Sequence, residues 1–249
     1  MYNESGEYGI EVCFSPLSWP LFEKDDAVIV ITDIFRATTA ICAAFHNGVK
    51  SIIPVAEISE SESYKQLGFI VAGERDGKKL DCADFGNSPF HFMDPSLKGK
   101  TIVLNTTNGT QAIRAVSKGS NRVVIGSFLN LGAVVRYITT QQKPVVIFCS
   151  GWKNRFSLED TIFAGALVES LITNGNNKFH TICDSAIASA DLWNSAKKNP
   201  LTYIEKAAHR HRLRKMGLDD ILEFSFQTDF TEAVPVLNGS EIVNAFDIN

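Results

Sequence analysis

Four times between residues 28 and 168 the chain repeats one phrase. A short apolar run rich in Val and Ile is followed by a turn rich in Thr, Ser, Asn or Asp, then by apolar residues at helical spacing. VIVITDIFRATTAICAAF, TIVLNTTNGTQAIRAV, RVVIGSFLNLGAVVRYI and PVVIFCSGWKNRFSLEDTIFAGALV all carry it. Apolar runs without polar alternation must be buried on both faces, so their strands belong inside a parallel sheet covered by helices on either side. The pattern predicts strands at Ile10–Phe14, Val28–Ile31, Ser51–Val55, Phe69–Ala72, Thr101–Leu104, Arg122–Ile125 and Val145–Phe148. Helices are expected at Thr39–His46, Gln111–Val116, Leu131–Ile138 and Leu158–Ile172, with Gly48 and Gly175 suited to end the first and last of them. The repeated phrase fits a duplication, although the ordinary grammar of an α/β fold produces it too and is the default.

The fold class expected is α/β, a three-layer α/β/α arrangement around a mixed, largely parallel sheet, with two similar halves packed together as one form of it. Residues 1–249 read as a single domain, with a subdomain division near 120–145 as the place where one would fall. The fragment VCFSPLSWPLFEKDDAVIV holds two strands split by a Pro-containing loop, which is the reason for expecting a mixed sheet. From Thr181 the pattern is helical, and from Glu223 it is less regular.

With 249 residues, 45% of them hydrophobic, the chain can bury a sizeable core without staples. Its five cysteines are scattered and lack CxxC spacing, as expected of reduced thiols in a cytoplasmic protein. The opening MYNESGEYGIEV has neither the basic nor the apolar region of a leader. No apolar run approaches the ~18–20 residues of a membrane span. A formal net charge of −4 argues against a general nucleic-acid binder. The basic stretch HRHRLRK, His209 to Lys215, reads as the solvated face of a helix.

Ligands of open α/β sheets bind beyond the carboxyl ends of the strands, and the polar signals collect there. In Ile31-Thr-Asp-Ile-Phe-Arg-Ala-Thr-Thr39, Asp33 can hold Mg²⁺ and Arg36 can grip a phosphate with its planar fork. A helix cap with an internal ion pair explains the same residues equally well. Gly73-Glu-Arg-Asp-Gly77 repeats acid and guanidinium at a strand end, in Glu74 and Arg75, and taken alone reads as a surface turn. Asp84-Phe-Gly-Asn-Ser-Pro89 offers Asn87 and Ser88 ahead of a helical Pro, first of all a cap. In Asn105-Thr-Thr-Asn-Gly-Thr110 hydroxyls, amides and a glycine precede a helix, an anion cradle without the Gly-Lys-Ser/Thr of a Walker loop, although a well-capped helix explains it nearly as well. In Arg155-Phe-Ser-Leu-Glu-Asp160, Ser157 and Asp160 are spaced as a capping box, with Glu159 or Asp160 able to reach a metal and Arg155 an anion. Cys149 and Arg155 have the spacing of a cysteine phosphatase loop, but Phe148 and Phe156 stand where such a loop needs His and Ser or Thr.

The order of these motifs resembles the 2-phosphosulfolactate phosphatase family. Ile31-Thr-Asp-Ile-Phe-Arg-Ala-Thr-Thr, Gly73-Glu-Arg, Asp84-Phe-Gly-Asn-Ser-Pro, Thr106-Thr-Asn-Gly-Thr, Gly126-Ser-Phe-Leu-Asn130 and Arg155-Phe-Ser-Leu-Glu-Asp carry the likeness. It spans about Val28 to Leu171 and is looser over Thr181–Asp229. The resemblance implies an α/β/α fold and Mg²⁺-dependent hydrolysis of phosphosulfolactate to sulfolactate and phosphate, a step toward coenzyme M in methanogens. On residue chemistry, Asp33 and Glu74, joined by Asp84 or Glu159, are the expected Mg²⁺ ligands, and Asp33, Arg36, Glu74 and Arg155 the expected catalytic set. Arg75, Asn87, Ser88, Thr106, Thr107, Asn108, Gly109, Thr110 and Ser157 are expected to bind the substrate. Direct attack by water and a covalent Asp33 phosphate both fit these residues. The expected partner is a small phosphorylated sulfonic acid, with neither nucleic acid nor membrane, and a homodimer is compatible with the reading. Two alternatives stay open, a Mg²⁺-dependent hydrolase of another small phosphorylated acid and a non-catalytic phosphate- or sulfonate-binding protein.

Overall fold

The computed structural model describes residues 6–116 and 122–248. The first five residues of the N-terminal stretch read above as lacking a leader lie outside them. In chain order the strands are β1 (Tyr8–Cys13), β2 (Val28–Thr32), β3 (Ser51–Val55), β4 (Ile70–Arg75), β5 (Lys78–Lys79), β6 (Thr101–Asn105), β7 (Arg122–Ile125), β8 (Val145–Cys149), β9 (Phe179–Thr181), β10 (Pro235–Asn238) and β11 (Glu241–Asn244). The α-helices are α1 (Ala37–His46), α2 (Ile58–Gln66), α3 (Pro89–Phe92), α4 (Gly109–Val116), α5 (Leu131–Gln141), α6 (Leu158–Asn174), α7 (Asp184–Ala196), α8 (Pro200–Ile204), α9 (Ala208–Lys215) and α10 (Ile221–Ser225).

The strands form one sheet in the order β5-β4-β6-β3-β11-β10-β7-β2-β8-β1-β9. All five residues of β2 and all five of β8 are buried, and all but Thr32 are apolar. Their side chains alternate between two cores. Val28 and Val30 face the side covered by α5, α6 and α7, while Ile29 and Ile31 face the side covered by α1 and α4. The fold is therefore α/β, with a large, mixed, mostly parallel sheet and helices on both faces.

The mixed character has a different origin from the one the sequence pointed to. Despite the Pro-containing connection, β1 and β2 run the same way, each parallel to β8 between them. The antiparallel pairs come from the short β4–β5 ribbon and from the tail, where β10 and β11 form a hairpin around Gly239 and Ser240. That hairpin sits inside the sheet, β11 against β3 and β10 against β7. It joins two otherwise separate parallel groups, β4-β6-β3 and β7-β2-β8-β1-β9.

The sheet also coils. Five strand steps separate β6 from β2, which in a flat sheet would be roughly 24 Å at about 4.8 Å per step. Yet a methyl group built on Gly109, four residues after β6, would lie 3.0 Å from Asp33 Oδ2 just after β2. Coiling on this scale brings the carboxyl ends of distant strands to one place. It also wraps the sheet around α1, in which nine of ten residues are buried.

Candidate active site

Asp33 leaves the carboxyl end of β2 and is turned inward by its neighbours. The Thr38 hydroxyl accepts from the Asp33 N–H at 3.0 Å and donates to the Asp33 carbonyl at 3.0 Å, closing the strand-to-helix turn. Thr110 does the same for Thr106 after β6, accepting at 3.1 Å and donating at 3.0 Å. With much of the turn's backbone satisfied by Thr38, the Asp33 carboxylate accepts only the Ala37 N–H from the helix start. Burial pushes the Asp33 carboxyl up to about 7. His209 opposes that rise and the Glu74 and Glu159 charges add to it.

Arg36 is 6% exposed. Among the described residues its guanidinium makes no hydrogen bond and no ion pair within contact distance. Burial holds it below the ordinary arginine range, while Glu74, Asp33 and Asp220 at longer range oppose that shift. Little of the guanidinium meets solvent and no described protein group pairs with it, so an anion bound beside it would be favoured. Of the alternative expectation, the cap is present in the Ala37 N–H on Asp33, while the internal Arg36–Asp33 ion pair is not found. The Phe35–Arg36 peptide is cis.

The Thr106–Thr110 turn is an anion cradle, but the anion it holds is Glu74. Thr107 donates its N–H at 2.7 Å and its hydroxyl at 3.0 Å to the Glu74 carboxylate, and Gly77 N–H adds a third bond at 2.7 Å. Three donors leave about one of the four acceptor positions of Glu74 for a ligand. Thr106 and Thr110 are spent on the turn itself. Gly109 is the residue the site cannot enlarge, since a methyl there would meet Ala37 Cβ at 2.5 Å as well as Asp33.

Asp33, Arg36, Glu74, Asn87 and Asn108 line one crevice together with Phe35, Trp152 and His209. The Asn87 Oδ1 is buried without a partner. The free volume is about 10 Å³, room for one water or one small ion. Trp152 and His209 also line a groove of about 660 Å³ whose other walls include Lys153, Arg155, Lys206 and Arg212. Arg212 stacks on Trp152, its guanidinium carbon 4.6 Å from the ring centre. Ser157 also lines the groove and caps α6, accepting from the Asp160 N–H at 3.5 Å.

Several expected site residues stand elsewhere. Arg75 is tied down by the Ala56 carbonyl at 3.0 Å and the Asn105 side chain at 2.7 Å, so it props the loops after β3 and β6 and does not face the crevice. Asp84 pairs with Lys65 at 2.5 Å and accepts from the Val71 N–H at 2.9 Å, which takes it out of the metal set. Ser88 opens α3 without lining the crevice. Arg155 is exposed on the groove, within a tight hairpin whose Lys153 and Asn154 both have positive φ. That hairpin replaces any phosphate loop on Cys149, whose thiol is fully buried and pushed well up by burial and by Asp160.

The basic stretch hid a residue of the site. His209, expected on a solvated face, is 7% exposed, and its Nδ1 lies 2.6 Å from Glu159 Oε1. Burial pushes the Glu159 carboxyl up, but the hydrogen bond and charge of His209 outweigh it and hold the group below its ordinary value. The Oε1 of Glu159 is thereby committed to the histidine, while its Oε2 is buried without a partner among the described residues. Asp160 accepts from Ile34 N–H at 2.9 Å and Gly151 N–H at 3.1 Å, pinning the loops after β2 and β8 together. In the same basic stretch Arg210 is buried and pairs with Glu205 and Asp219.

Among the described residues, no group of three or more His, Cys, Asp or Glu side chains is placed to hold a metal ion unaided. Mg²⁺ asks for less, one or two carboxylates completed by water and phosphate oxygens. Two carboxylates on a one-water crevice beside an unpaired guanidinium match that demand.

Strand-end carboxylates and a bare arginine, gathered at the rim of a coiled α/β sheet, define the class as enzymes acting on phosphorylated anions. Residues 13–240 match the family model described as 2-phosphosulpholactate phosphatase, and the chain belongs to that family. A relative from Thermotoga maritima named as a probable 2-phosphosulfolactate phosphatase is 36% identical over 218 residues, covering 87% of this chain and 92% of its own. One from Caldanaerobacter subterraneus with the same name is 34% identical over 225 residues, 88% of this chain and 91% of its own. A third, from Gloeobacter violaceus, is 34% identical over 231 residues, 91% and 94% of the two chains. No helix among the described residues is long and apolar enough to cross a membrane.

Proposed function

We propose that the protein is a phosphoric monoester hydrolase that cleaves 2-phosphosulfolactate to sulfolactate and phosphate. The observation that carries the reading is Arg36, nearly buried, unpaired, and set beside Asp33 and Glu74 in a one-water crevice that shares Trp152 and His209 with a cationic groove. The crevice is too small for a phosphate, so the phosphoryl group lies at its mouth with Arg36 on its oxygens and Asn87 and Asn108 beside it. The acidic end of the substrate extends into the groove. There the Arg212 guanidinium on Trp152, with Lys153, Arg155 and Lys206, suits a sulfonate and a carboxylate.

Asp33 and Glu74 would hold Mg²⁺, which when bound neutralises phosphate charge and lowers the pKa of water. The burial and neighbouring negative charge that raise Asp33 are what a bound cation would relieve. The chain's own residues orient the ester, exclude bulk water from the crevice and match the substrate's charges.

Phosphate release from a panel of phosphomonoesters tests the reading. Expected is turnover of 2-phosphosulfolactate with Mg²⁺, lost in EDTA and restored by Mg²⁺. Turnover of another small phosphorylated acid alone reassigns the substrate, and anion binding without turnover of any ester leaves a binding protein.

A further inference from the structure

The geometry points to His209 as the proton donor to the leaving oxygen, held in position by Glu159; this rests on the phosphatase reading above. His209 and Trp152 line both the crevice and the groove. A substrate with its phosphoryl group at the crevice mouth and its acidic end in the groove has its bridging oxygen at that junction, beside the imidazole.

The ring is fixed on three sides. Glu159 Oε1 lies 2.6 Å from Nδ1, Trp152 lies 5.1 Å away centre to centre, and Phe35 packs edge-on at 5.9 Å. Glu159 is itself set in the first turn of α6 and is 1% exposed, so it cannot swing away. With Nδ1 committed, Nε2 is left to face a ligand. Nε2 bonds to no described protein atom and is not sealed from open space.

The step balances within the hydrolysis. The water oxygen forms a bond to phosphorus, and the bond from phosphorus to the ester oxygen breaks. The electron pair goes to that oxygen, which takes the Nε2 proton to leave as the alcohol. The proton lost by the water restores the imidazole. An alkoxide is a poor leaving group without such a proton, and general acids of this kind contribute about 10²–10⁴-fold. His209 is thus a catalytic residue, and Glu159 a positioning residue.

The test compares 2-phosphosulfolactate with its analogue in which sulfur replaces the bridging oxygen. A thiol has a pKa near 8.5 and departs as thiolate unaided. His209→Asn keeps an amide donor toward Glu159 and removes Nε2. It is expected to slow the oxygen ester about 10²–10⁴-fold and the sulfur ester far less. Glu159→Gln should give the same selectivity with a smaller loss, and circular dichroism melting of both variants establishes that they fold. Equal losses on the two esters in either folded variant, or no loss on the oxygen ester, overturn the assignment. A wild-type protein that releases phosphate from neither ester overturns the phosphatase reading itself, and this proposal with it.

Discussion

Asp33→Asn is expected to lower kcat on the order of a thousandfold and, in the same protein without metal, to raise the melting temperature at pH 8. The two effects share one cause. Asp33 is buried, and burial with the Glu74 and Glu159 charges pushes its carboxyl up to about 7. An acid bound more tightly by its proton in the folded state makes folding less favourable as pH rises. The cost is absent below the unfolded value near 4, grows between about 4 and 7, and levels off above that. Asn is isosteric, accepts the Ala37 N–H equally, and carries no charge to desolvate. At pH 8 the variant should therefore gain a few kcal/mol, roughly 5–10 °C for a chain of this length, and the gain should shrink toward pH 4. Thermal melts in EDTA across this range, with phosphate release at saturating substrate, check both halves. A variant less stable than the wild type at pH 8 contradicts the electrostatic account of Asp33, and one with full turnover removes it from the site.

Val236→Asp is expected to have the largest effect on stability. Val236 is 1% exposed, stands opposite Val243 within the hairpin and pairs with Val124 of β7. A carboxylate there loses the apolar contacts and has no buried partner, a change of about 4 kcal/mol or more. Because β10 and β11 join the two parallel groups, the loss reaches the whole sheet. Expected is a melting temperature lower by more than about 8 °C, or failure to fold, while Asn238→Asp at the exposed turn melts like the wild type. An unchanged melt for Val236→Asp would show that the hairpin does not hold the halves together.

The contrast between these two sites marks what the sequence made legible. Strands such as β2 and β8 announce themselves, because a strand buried on both faces is almost entirely apolar. The strand-end motifs were visible because Asp33, Arg36 and Glu74 are polar residues abutting such runs. The hairpin was passed over as an irregular tail, although Asn238-Gly239 between Pro235-Val-Leu and Glu-Ile-Val is a hairpin signal. His209 was hidden by its cationic neighbours. Leu213 lies four residues later, on the same helix face, and was the clue that this face is buried. No local pattern records which loop donates to which carboxylate. The Thr106–Thr110 turn looks like a ligand cradle whether it serves a phosphate or Glu74. Nor does local sequence encode the coiling of the sheet, which alone sets Gly109 beside Asp33.

A crystal structure with Mg²⁺, phosphate and sulfolactate bound together measures the central point, the convergence of these groups on one phosphoryl site. The prediction is phosphate oxygens on the Arg36 guanidinium, Mg²⁺ between them and the Asp33 and Glu74 carboxylates, and the sulfonate against Arg212 over Trp152. Phosphate and metal bound away from Arg36, with its guanidinium still bare, would contradict it.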